Sequence, residues 1–515
     1  MKKLAYIVFM GVFAISTSCK KYLDINQNPN TATSSTPELI LPQALTATAS
    51  VTNAYNSMGS QLGGYQANAG GYSGFGPAVT YSFSASDFGN LWSSVYDNLE
   101  DYQYILDNTD TLPDYAFFNG AARIMKAMDF QVLVDTYNDV PYSQALKGIN
   151  KLTPAYDKAE DIYVSLGNQL DSAIASIKAG QNNSNAVALD KADVMFKGDM
   201  NKWLQFANTV KLRLMIHGQG KINLANKTFD PAGFLTDDAI VNPGYIKDNG
   251  KQNPQWNSWV SDYTGTAANR AWIPTKWILS FYDGRKLDDY RGYAIYYSFP
   301  NTASNQLGNL SSSTPSSPSD GAWNSKQEGG VGILKGPSQG QPIITAAEAY
   351  FLRAEAGLNG LTAETNTQVL FEAGIRSSFK YLYKLLDGSY DMNNWNYTAD
   401  ADAYFDNNPT SRLVHYDLAT TKDQQLEAII TQKYIALNFI NGNEGWNEYR
   451  RTQYPKIVNG SSDPLLTFAS TQSTSTRPDK LPTRIQYPSS ENSYNPEHVP
   501  TNITPFTSFI FWAKQ

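Results

Sequence analysis

Apolar residues recur every three or four positions over long stretches of this chain, and this spacing constrains the fold more than any other feature. Leu91, Val95, Leu99, Tyr102 and Leu106, for example, are separated by steps of four, four, three and four. Side chains at such steps lie on one face of an α-helix, which then packs against another element. The same pattern recurs around 121–132, 162–177, 203–214, 347–358 and 426–437. The sequence therefore predicts a mostly α-helical protein.

The predicted helices come in neighbouring pairs. The segment 115–136 precedes 157–178, which is followed by 199–217, and small alanines within several of them allow helices to approach closely. This arrangement favours helix hairpins stacked as in tetratricopeptide proteins, although no exact period of about 34 residues is present. We therefore predict an irregular tetratricopeptide-like helical scaffold. A helical bundle without repeats is the alternative.

Three regions mostly lack helical spacing and are rich in Gly, Asn, Pro and Ser, namely about 218–342, 386–422 and 452–515. Long loops on a rigid scaffold are frequent positions for binding sites. We therefore expect one domain over 37–515, in which the helical scaffold carries long, loop-rich insertions that face a ligand.

The N-terminus has the three parts of a secretory signal. A basic start precedes an apolar run over 4–15, and small residues follow up to Cys19, the only cysteine of the 515 residues. The run is too short to span a bilayer as a mature helix. A thiol at the cleavage point can be acylated, so the segment resembles a bacterial lipoprotein signal. We predict a signal peptide over 1–18, lipid attachment at Cys19 and a lipidated tether over 19–36.

The charge and cysteine content exclude several classes of protein. Loss of the signal removes Lys2 and Lys3 from a formal net charge of −7, which leaves −9. An acidic surface argues against nucleic-acid binding, because that function needs clustered Lys and Arg. With one cysteine the chain cannot form an intramolecular disulfide, so its stability must come from the core.

Sequence signals for metals and cofactors are weak. The three histidines, His217, His415 and His498, are far apart and form no pair at metal-ligand spacing. The chain also lacks the glycine-rich motifs that bind nucleotides. We therefore expect neither a metal nor a cofactor.

One string matches a catalytic pattern, since residues 336–340 (GPSQG) fit G-x-S-x-G. A nucleophile elbow needs a helix directly after its serine, and here a helix can begin only near Thr345, so a plain loop is the favoured interpretation. Four loop carboxylates lack any distinguishing spacing: Asp237, Asp238, Asp288 and Asp289. We expect a protein without enzyme activity. A hydrolase that uses Ser338 or such carboxylates is the alternative.

Aromatic residues make up 13% of the chain, and many of them lie near glycines or in the loop-rich regions. A ring on a loop offers its face to apolar C–H patches, such as those of a sugar, while flanking Asn, Gln and Asp bind hydroxyls. Packing in the core or beneath loops is the alternative role for each ring. The residues that we predict to contact a ligand are Tyr65, Tyr72, Phe75, Trp256, Trp259, Tyr263, Trp272 and Trp323.

Several short strings, spread over the whole chain, carry a family resemblance. They are YLDIN at 22–26, DTYNDVPYSQA at 135–145, TPAYD at 153–157, FKGDMNKW at 196–203, PIITAAEAYFLRAEA at 342–356, EGWNEYRRT at 444–452 and PTRIQYP at 482–488. In this order, and after Cys19, they resemble the SusD/RagB family of outer-membrane nutrient-binding lipoproteins of Bacteroidetes.

The resemblance implies a tetratricopeptide-like scaffold with a loop-rich ligand face. It also implies a partner, a TonB-dependent outer-membrane transporter of the SusC kind, to which family members deliver captured oligosaccharides, or in some cases peptides, without chemistry. We expect a lipid-anchored glycan-binding protein of the outer membrane. Acidic residues after the lipidated cysteine often mark surface display in this family, and this chain departs from that pattern, because Lys20 and Lys21 follow Cys19. We expect display at the cell surface. A peptide-binding member and a structural lid that barely touches the nutrient are further alternatives.

The shared strings also have local physical interpretations. Thr345 can cap a helix with Glu348 as the reciprocal partner of a capping box, and Asp199 reads as a helix start. Trp446 and Arg450 are four positions apart, so the guanidinium can lie over the indole on one helix face. These strings therefore favour a role in the scaffold rather than in ligand contact.

Overall fold

Long α-helices form most of the regular structure in the computed structural model, which describes residues 35–324 and 330–515. The predictions for the signal, for Cys19 and for most of the tether lie outside the described residues. The helices are α1 Pro37–Leu62, α2 Pro77–Thr80, α3 Gly89–Asp107, α4 Ala116–Tyr137, α5 Ala159–Gln181, α6 Met200–His217, α7 Pro254–Trp259, α8 Lys276–Leu279, α9 Arg291–Ile295, α10 Ala346–Asn359, α11 Thr367–Tyr383, α12 Tyr397–Asn407, α13 Lys422–Ala436, α14 Gly442–Thr452 and α15 Ser489–Tyr494.

The long helices pack as neighbours in the chain, with the most extensive contacts between α4 and α5 and between α10 and α11. Their buried residues follow the apolar stripes of the sequence; in α3, for example, Leu91, Val95, Leu99, Tyr102 and Leu106 are all buried. The prediction of a mostly α-helical, irregular tetratricopeptide-like scaffold is confirmed. Among the described helices, none combines the length and apolarity that crossing a bilayer requires.

Side-chain caps fix where several helices begin. The Asp199 carboxylate accepts hydrogen bonds from two backbone N–H groups at the start of α6, as predicted. The Thr345 hydroxyl accepts one from the N–H of Glu348 at the start of α10. The prediction of the reciprocal hydrogen bond of a capping box, from the N–H of Thr345 to the Glu348 carboxylate, is wrong. The Glu348 carboxylate instead pairs with Arg213 at 3.3 Å.

Glycines allow α1 and α14 to approach closely. A Cβ added at Gly59 would overlap the backbone of Asn443 on α14, and one at Gly442 would overlap Ser60 on α1. The Asn56 side chain bonds across the junction, accepting from the N–H of Gly442 at 2.7 Å. Gly442, which flanks the string at 444–452, therefore serves helix packing.

The described part of the chain contains six short strands: β1 Gln66–Asn68, β2 Val140–Pro141, β3 Tyr156–Asp157, β4 Ala239–Val241, β5 Trp272–Pro274 and β6 Gln341–Ile344. They form three antiparallel pairs, β1 with β5, β2 with β3, and β4 with β6. The β4–β6 pair joins the two ends of the long insertion that follows α6. The β1–β5 pair places a middle segment of that insertion beside the end of α1.

The region 386–422, predicted to be irregular, contains the eleven-residue helix α12, so this part of the prediction is wrong. The helices within the other two regions, α7, α8, α9 and α15, have at most six residues each. Only Ala401 and Tyr404 of the eleven residues of α12 are buried. Two buried positions make no apolar stripe, which is why the spacing did not reveal the helix. Its start is set instead by Asn396, whose side chain accepts from the N–H groups of Thr398 and Ala399.

Candidate functional site

Three loops converge where β1 pairs with β5. The pairing sets Asn68 opposite Trp272, and it continues with a bond from the N–H of Ala69 to the oxygen of Ala271 at 2.8 Å. The next N–H, that of Gly70, donates to the oxygen of Pro315 at 2.9 Å. Loops 70–76, 260–271 and 314–321 are therefore held together at one surface.

Loop 70–76 presents its aromatic side chains outward. Gly71 and Gly74 have φ values of +82° and +81°, and a Cβ at either position would meet nothing within 4 Å. Glycine is favoured here because of the left-handed backbone and not for lack of room. Tyr72, between them, is 46% exposed.

Phe75 and Trp272 form the other aromatic part of this surface. Their ring centroids are 5.3 Å apart in an edge-to-face arrangement, and both side chains are half-buried. Edge-to-face packing fixes one ring against the other and leaves a partly open aromatic wall beside the loop. Sequence reasoning named both residues, and the structure brings them into contact.

Arg270 holds the loops together through hydrogen bonds to their backbone. Its guanidinium group donates to the carbonyl oxygens of Ser319 at 3.0 Å, Trp259 at 3.0 Å and Val260 at 2.9 Å. A Cβ at Gly321, where φ is +88°, would lie 3.2 Å from this group. Because three carbonyls occupy its donors, Arg270 positions the loops more than it offers hydrogen bonds to a ligand.

Two further polar residues, Asp320 and Tyr297, belong to this part of the structure. Burial lowers the pKa of Arg270, while the nearby charge of Asp320 and the phenol of Tyr72 partly offset this effect. A hydrogen bond with the exposed Asp320 raises the pKa of Tyr297. Asp320 therefore adds an exposed carboxylate to the loops that Arg270 joins.

Tyr263 lies on a hairpin that leads into Arg270. The hairpin is closed by a bridge between Ser261 and Ala267, and inside it the Asp262 carboxylate accepts from the N–H groups of Thr264 and Thr266, both at 2.9 Å. Tyr263 is 44% exposed. It reaches solvent near the converging loops, without a ring contact to the other aromatic residues described above.

The other four residues predicted to contact a ligand are buried, so their prediction as ligand contacts is wrong. The Tyr65 ring stacks on the Tyr434 ring with centroids 4.4 Å apart, and the Tyr65 hydroxyl donates to the backbone oxygen of Tyr434 at 2.9 Å. Trp323 stacks on Phe439 at 4.4 Å, and Trp259 meets the same ring edge-on at 4.8 Å. Trp256 is also fully enclosed. These rings fill the space between loops and scaffold, where a ligand cannot reach their faces.

The G-x-S-x-G string does not form a nucleophile elbow. Ser338 is exposed on a turn in which the Gln339 side chain accepts from the N–H of Gly336 at 3.2 Å. Strand β6 follows the serine, whereas an elbow places a strand before it and a helix after it.

The four loop carboxylates have structural partners. Asp238 accepts from the N–H of Ala346 at 2.9 Å, at the start of α10. Asp289 pairs with Arg291 at 2.6 Å, and both are buried. Asp237 lies 3.6 Å from Lys202 in an exposed pair, and the Asp288 backbone bonds to Asn408. No pair of these carboxylates faces a common cleft among the described contacts.

Three potential metal ligands do meet in the core, which the sequence spacing concealed. His217 at the end of α6 lies 3.2 Å from Glu444, and both are close to Glu448 on α14. The Lys433 ammonium group, however, lies 2.7 Å from Glu444 and 2.6 Å from Glu448. It supplies the positive charge between the two carboxylates, so these residues form a salt-bridge cluster.

The predicted stack of Arg450 on Trp446 is confirmed. The guanidinium carbon lies 3.7 Å from the indole centroid, and the group also donates to the backbone oxygens of Thr483 at 3.0 Å and Asp135 at 2.7 Å. Arg450 therefore joins α14 to the end of α4 and to the C-terminal segment. Its role is in the scaffold, as the sequence indicated.

The fold is that of SusD homologues. A SusD homologue from Bacteroides fragilis has a TM-score of 0.66 and 21% identity over 94% of this chain and 100% of its own. A chitin-binding SusD homologue from Flavobacterium johnsoniae gives 0.64 and 22% over 91% and 98%. One from Bacteroides uniformis gives 0.64 and 22% over 92% and 99%.

A family model described as "Starch-binding associating with outer membrane" matches residues 29–488. The chain therefore belongs to this SusD-like family, as its short strings predicted. A search of curated protein sequences found no significant match.

Sequence reasoning missed three polar members of the surface: Arg270, Tyr297 and Asp320. Asp320 and Arg270 are 50 positions apart, and no local motif links them. Tertiary contacts bring their loops together, among them the bond from Arg270 to the oxygen of Ser319, so no sequence signal pointed to them.

Proposed function

We propose that this protein binds glycans, without altering them, at the surface formed by Tyr72, Phe75 and Trp272, with Tyr263 beside it. The observation that carries the proposal is the exposed ring of Tyr72 next to the edge-to-face pair of Phe75 and Trp272. Ring faces suit the C–H patches of sugars, and the neighbouring Asp320 carboxylate suits a hydroxyl donor. Membership of a family described as starch-binding supports the same ligand class.

The proposal includes an anchor and a partner. The signal over 1–18 is removed, Cys19 is acylated, and the protein is held at the outer membrane, exposed to the cell surface. Ligand then passes to a TonB-dependent transporter of the SusC kind. The family description, which names association with the outer membrane, supports this location.

The binding test uses the chain from residue 20 onward, without lipid, in calorimetric titrations. The probes are maltooligosaccharides, chitooligosaccharides and a panel of peptides. We expect saccharide binding that Tyr72→Ala and Trp272→Ala each weaken about three- to tenfold, whereas Tyr494→Ala, at an exposed and remote tyrosine, leaves it unchanged. Binding of peptides alone would replace glycans by peptides as the ligand. Release of shortened products would refute a purely binding role.

The anchor and the uptake function have their own test. Cys19→Ser should abolish incorporation of a labelled fatty acid and release the protein from the membrane fraction. Deletion of the protein should impair growth on the bound glycan, and Tyr72→Ala with Trp272→Ala should do so partly. If the double variant grows like the unaltered strain while the deletion does not, the protein is a structural lid.

A further inference from the structure

A second pair of exposed rings lies outside the surface described above. Tyr290 and Tyr293, at the start of α9, are 37% and 48% exposed, although aromatic side chains are usually buried in this protein. Their ring centroids are 6.0 Å apart with an angle of 32° between the planes. Two rings three positions apart on a helical turn thus form an open platform of two mutually tilted rings.

The backbone under this platform is firmly held. Arg291, between the two tyrosines, is buried and pairs with Asp289 at 2.6 Å. A Cβ at Gly292 would lie 2.6 Å from the ring of Phe299, and Phe299 also meets the Tyr293 ring edge-on at 4.8 Å. The platform therefore projects from a rigid segment, which lowers the entropic cost of binding a ligand on it.

An exposed polar pair includes Asp288, two positions before Tyr290 in the chain. Asp288 and Asn407 are both exposed, and the Asn407 amide lies 3.4 Å from the Asp288 carboxylate. The backbone of Asp288 is fixed by two bonds with Asn408, at 3.0 and 2.9 Å. A carboxylate and an amide can both bind the hydroxyl groups of a ligand.

The platform is connected to the first surface. Tyr297 is only four positions from Tyr293, so the Cα atoms of these two tyrosines are at most about 14 Å apart. The N–H of Tyr297 donates to the oxygen of Ala322 at 3.0 Å, which joins this segment to the loop that contains Asp320. The two tyrosines are thus joined, through a backbone contact four residues after Tyr293, to the loop that Arg270 ties to the first surface.

We propose that Tyr290 and Tyr293 form an additional saccharide subsite, so that the protein selects glycan chains of several units over short fragments. The inference rests on the proposed glycan-binding function and specifies its substrate class as extended oligosaccharides. One end of the chain binds at Tyr72 and Trp272, and the more distant units lie on the tyrosine platform.

The test is the dependence of affinity on chain length. Disaccharides and octasaccharides of the maltose and chitin series are titrated into the unaltered chain, Tyr290→Ala/Tyr293→Ala, Tyr290→Phe/Tyr293→Phe and the control Tyr494→Ala. We expect the double alanine variant to lose about tenfold or more in affinity for octasaccharides and to bind disaccharides normally. The phenylalanine variant should retain most of the octasaccharide affinity, because ring faces make the contact.

Equal octasaccharide affinity in the double alanine variant and the unaltered chain would overturn the inference and leave the first site intact. Equal losses for disaccharides and octasaccharides would also overturn it, because they would place the tyrosines in the first site. If the unaltered chain bound no saccharide of any length, the proposed function itself would fail, and this inference with it. Melting temperatures of all variants verify that these exposed substitutions leave the fold unchanged.

Discussion

The hydroxyl of Tyr65 occupies the space where a side chain at Gly445 would lie. The Tyr65 side chain is held in place, because its ring stacks on the Tyr434 ring and its hydroxyl donates to the backbone oxygen of Tyr434. The close approach of Tyr65 to Gly445 packs the beginning of β1 against α14. Strand β1 in turn positions the loop that contains Tyr72. A glycine within the 444–452 string is thus a requirement of the scaffold that supports the binding surface.

Substitution of Gly445 by Ala should destabilise the protein. The added methyl group would overlap a fixed hydroxyl, and overpacking of this kind costs about 1–3 kcal/mol. The free energy of unfolding from urea titration measures the effect. Gly89→Ala is the matched control, because a Cβ there would approach only Pro488, at 3.8 Å. Equal stability of the two variants would contradict this account of Gly445.

The corrected aromatic residues predict a separation of stability from binding. Trp323→Ala should lower the free energy of unfolding by about 3–5 kcal/mol, because it empties a space between Trp259 and Phe439. Tyr263→Ala, at an exposed hairpin, should change it by less than about 0.5 kcal/mol. Thermal unfolding followed by near-ultraviolet circular dichroism distinguishes them. A stable Trp323→Ala variant with impaired glycan binding would return Trp323 to the ligand contacts.

The scaffold was predictable because its signals are local. Apolar steps of three and four residues located the long helices, and single side chains such as Asp199 and Thr345 marked their first turns. Helix α12 was missed because it buries only two side chains. Glu348 was assigned to a capping box because the sequence does not reveal that Arg213, 135 positions away, is its partner.

The candidate site was only partly predictable because exposure depends on distant contacts. Tyr65 and Tyr72 both follow glycines, yet one is enclosed by Tyr434 and the other is open to solvent. Likewise, nothing local distinguishes Trp259, which packs on Phe439, from the more exposed Trp272. Composition indicated a surplus of rings, but only the tertiary fold decides which faces remain free.

A buried cluster of charges joins five helices beneath these loops. Its acidic members are Asp135, Glu348, Glu355, Glu444 and Glu448, and its basic members are Arg213, His217, Lys433, Arg450 and Arg451. Burial lowers the pKa of His217, but Glu444 and Asp135 outweigh it and hold the pKa well above 6.5. With His217 protonated, the acidic and basic members are equal in number.

Removal of one charge from this cluster should be costly. Lys433→Met would leave Glu444 and Glu448 without their shared ammonium group, which should lower the free energy of unfolding by about 3–5 kcal/mol. Arg376→Met is the control, because its pair with Asp402 is exposed and should contribute less than about 1 kcal/mol. Chemical denaturation at neutral pH compares the two. Similar small effects would show that the buried lysine is dispensable.

Asp129 provides a prediction about pH. Burial raises its pKa to about 8, and the hydrogen bond from Asn98 opposes this only in part. Between about pH 4 and pH 8 the folded chain therefore holds a proton that the unfolded chain has released, so the free energy of unfolding falls as pH rises through this window. Asp129→Asn carries no titrating group at this position, so its free energy of unfolding relative to that of the unaltered chain should increase with pH.

We expect Asp129→Asn to be more stable by about 2 kcal/mol or more at pH 8, where the unaltered chain has to ionise a buried carboxyl group, and by little or nothing at pH 4. The difference between the two urea midpoints, measured across this range, isolates Asp129 from the other titrating groups. A difference that stays constant with pH would contradict this account and mean that Asp129 is ionised in the folded chain, stabilised by the hydrogen bond from Asn98.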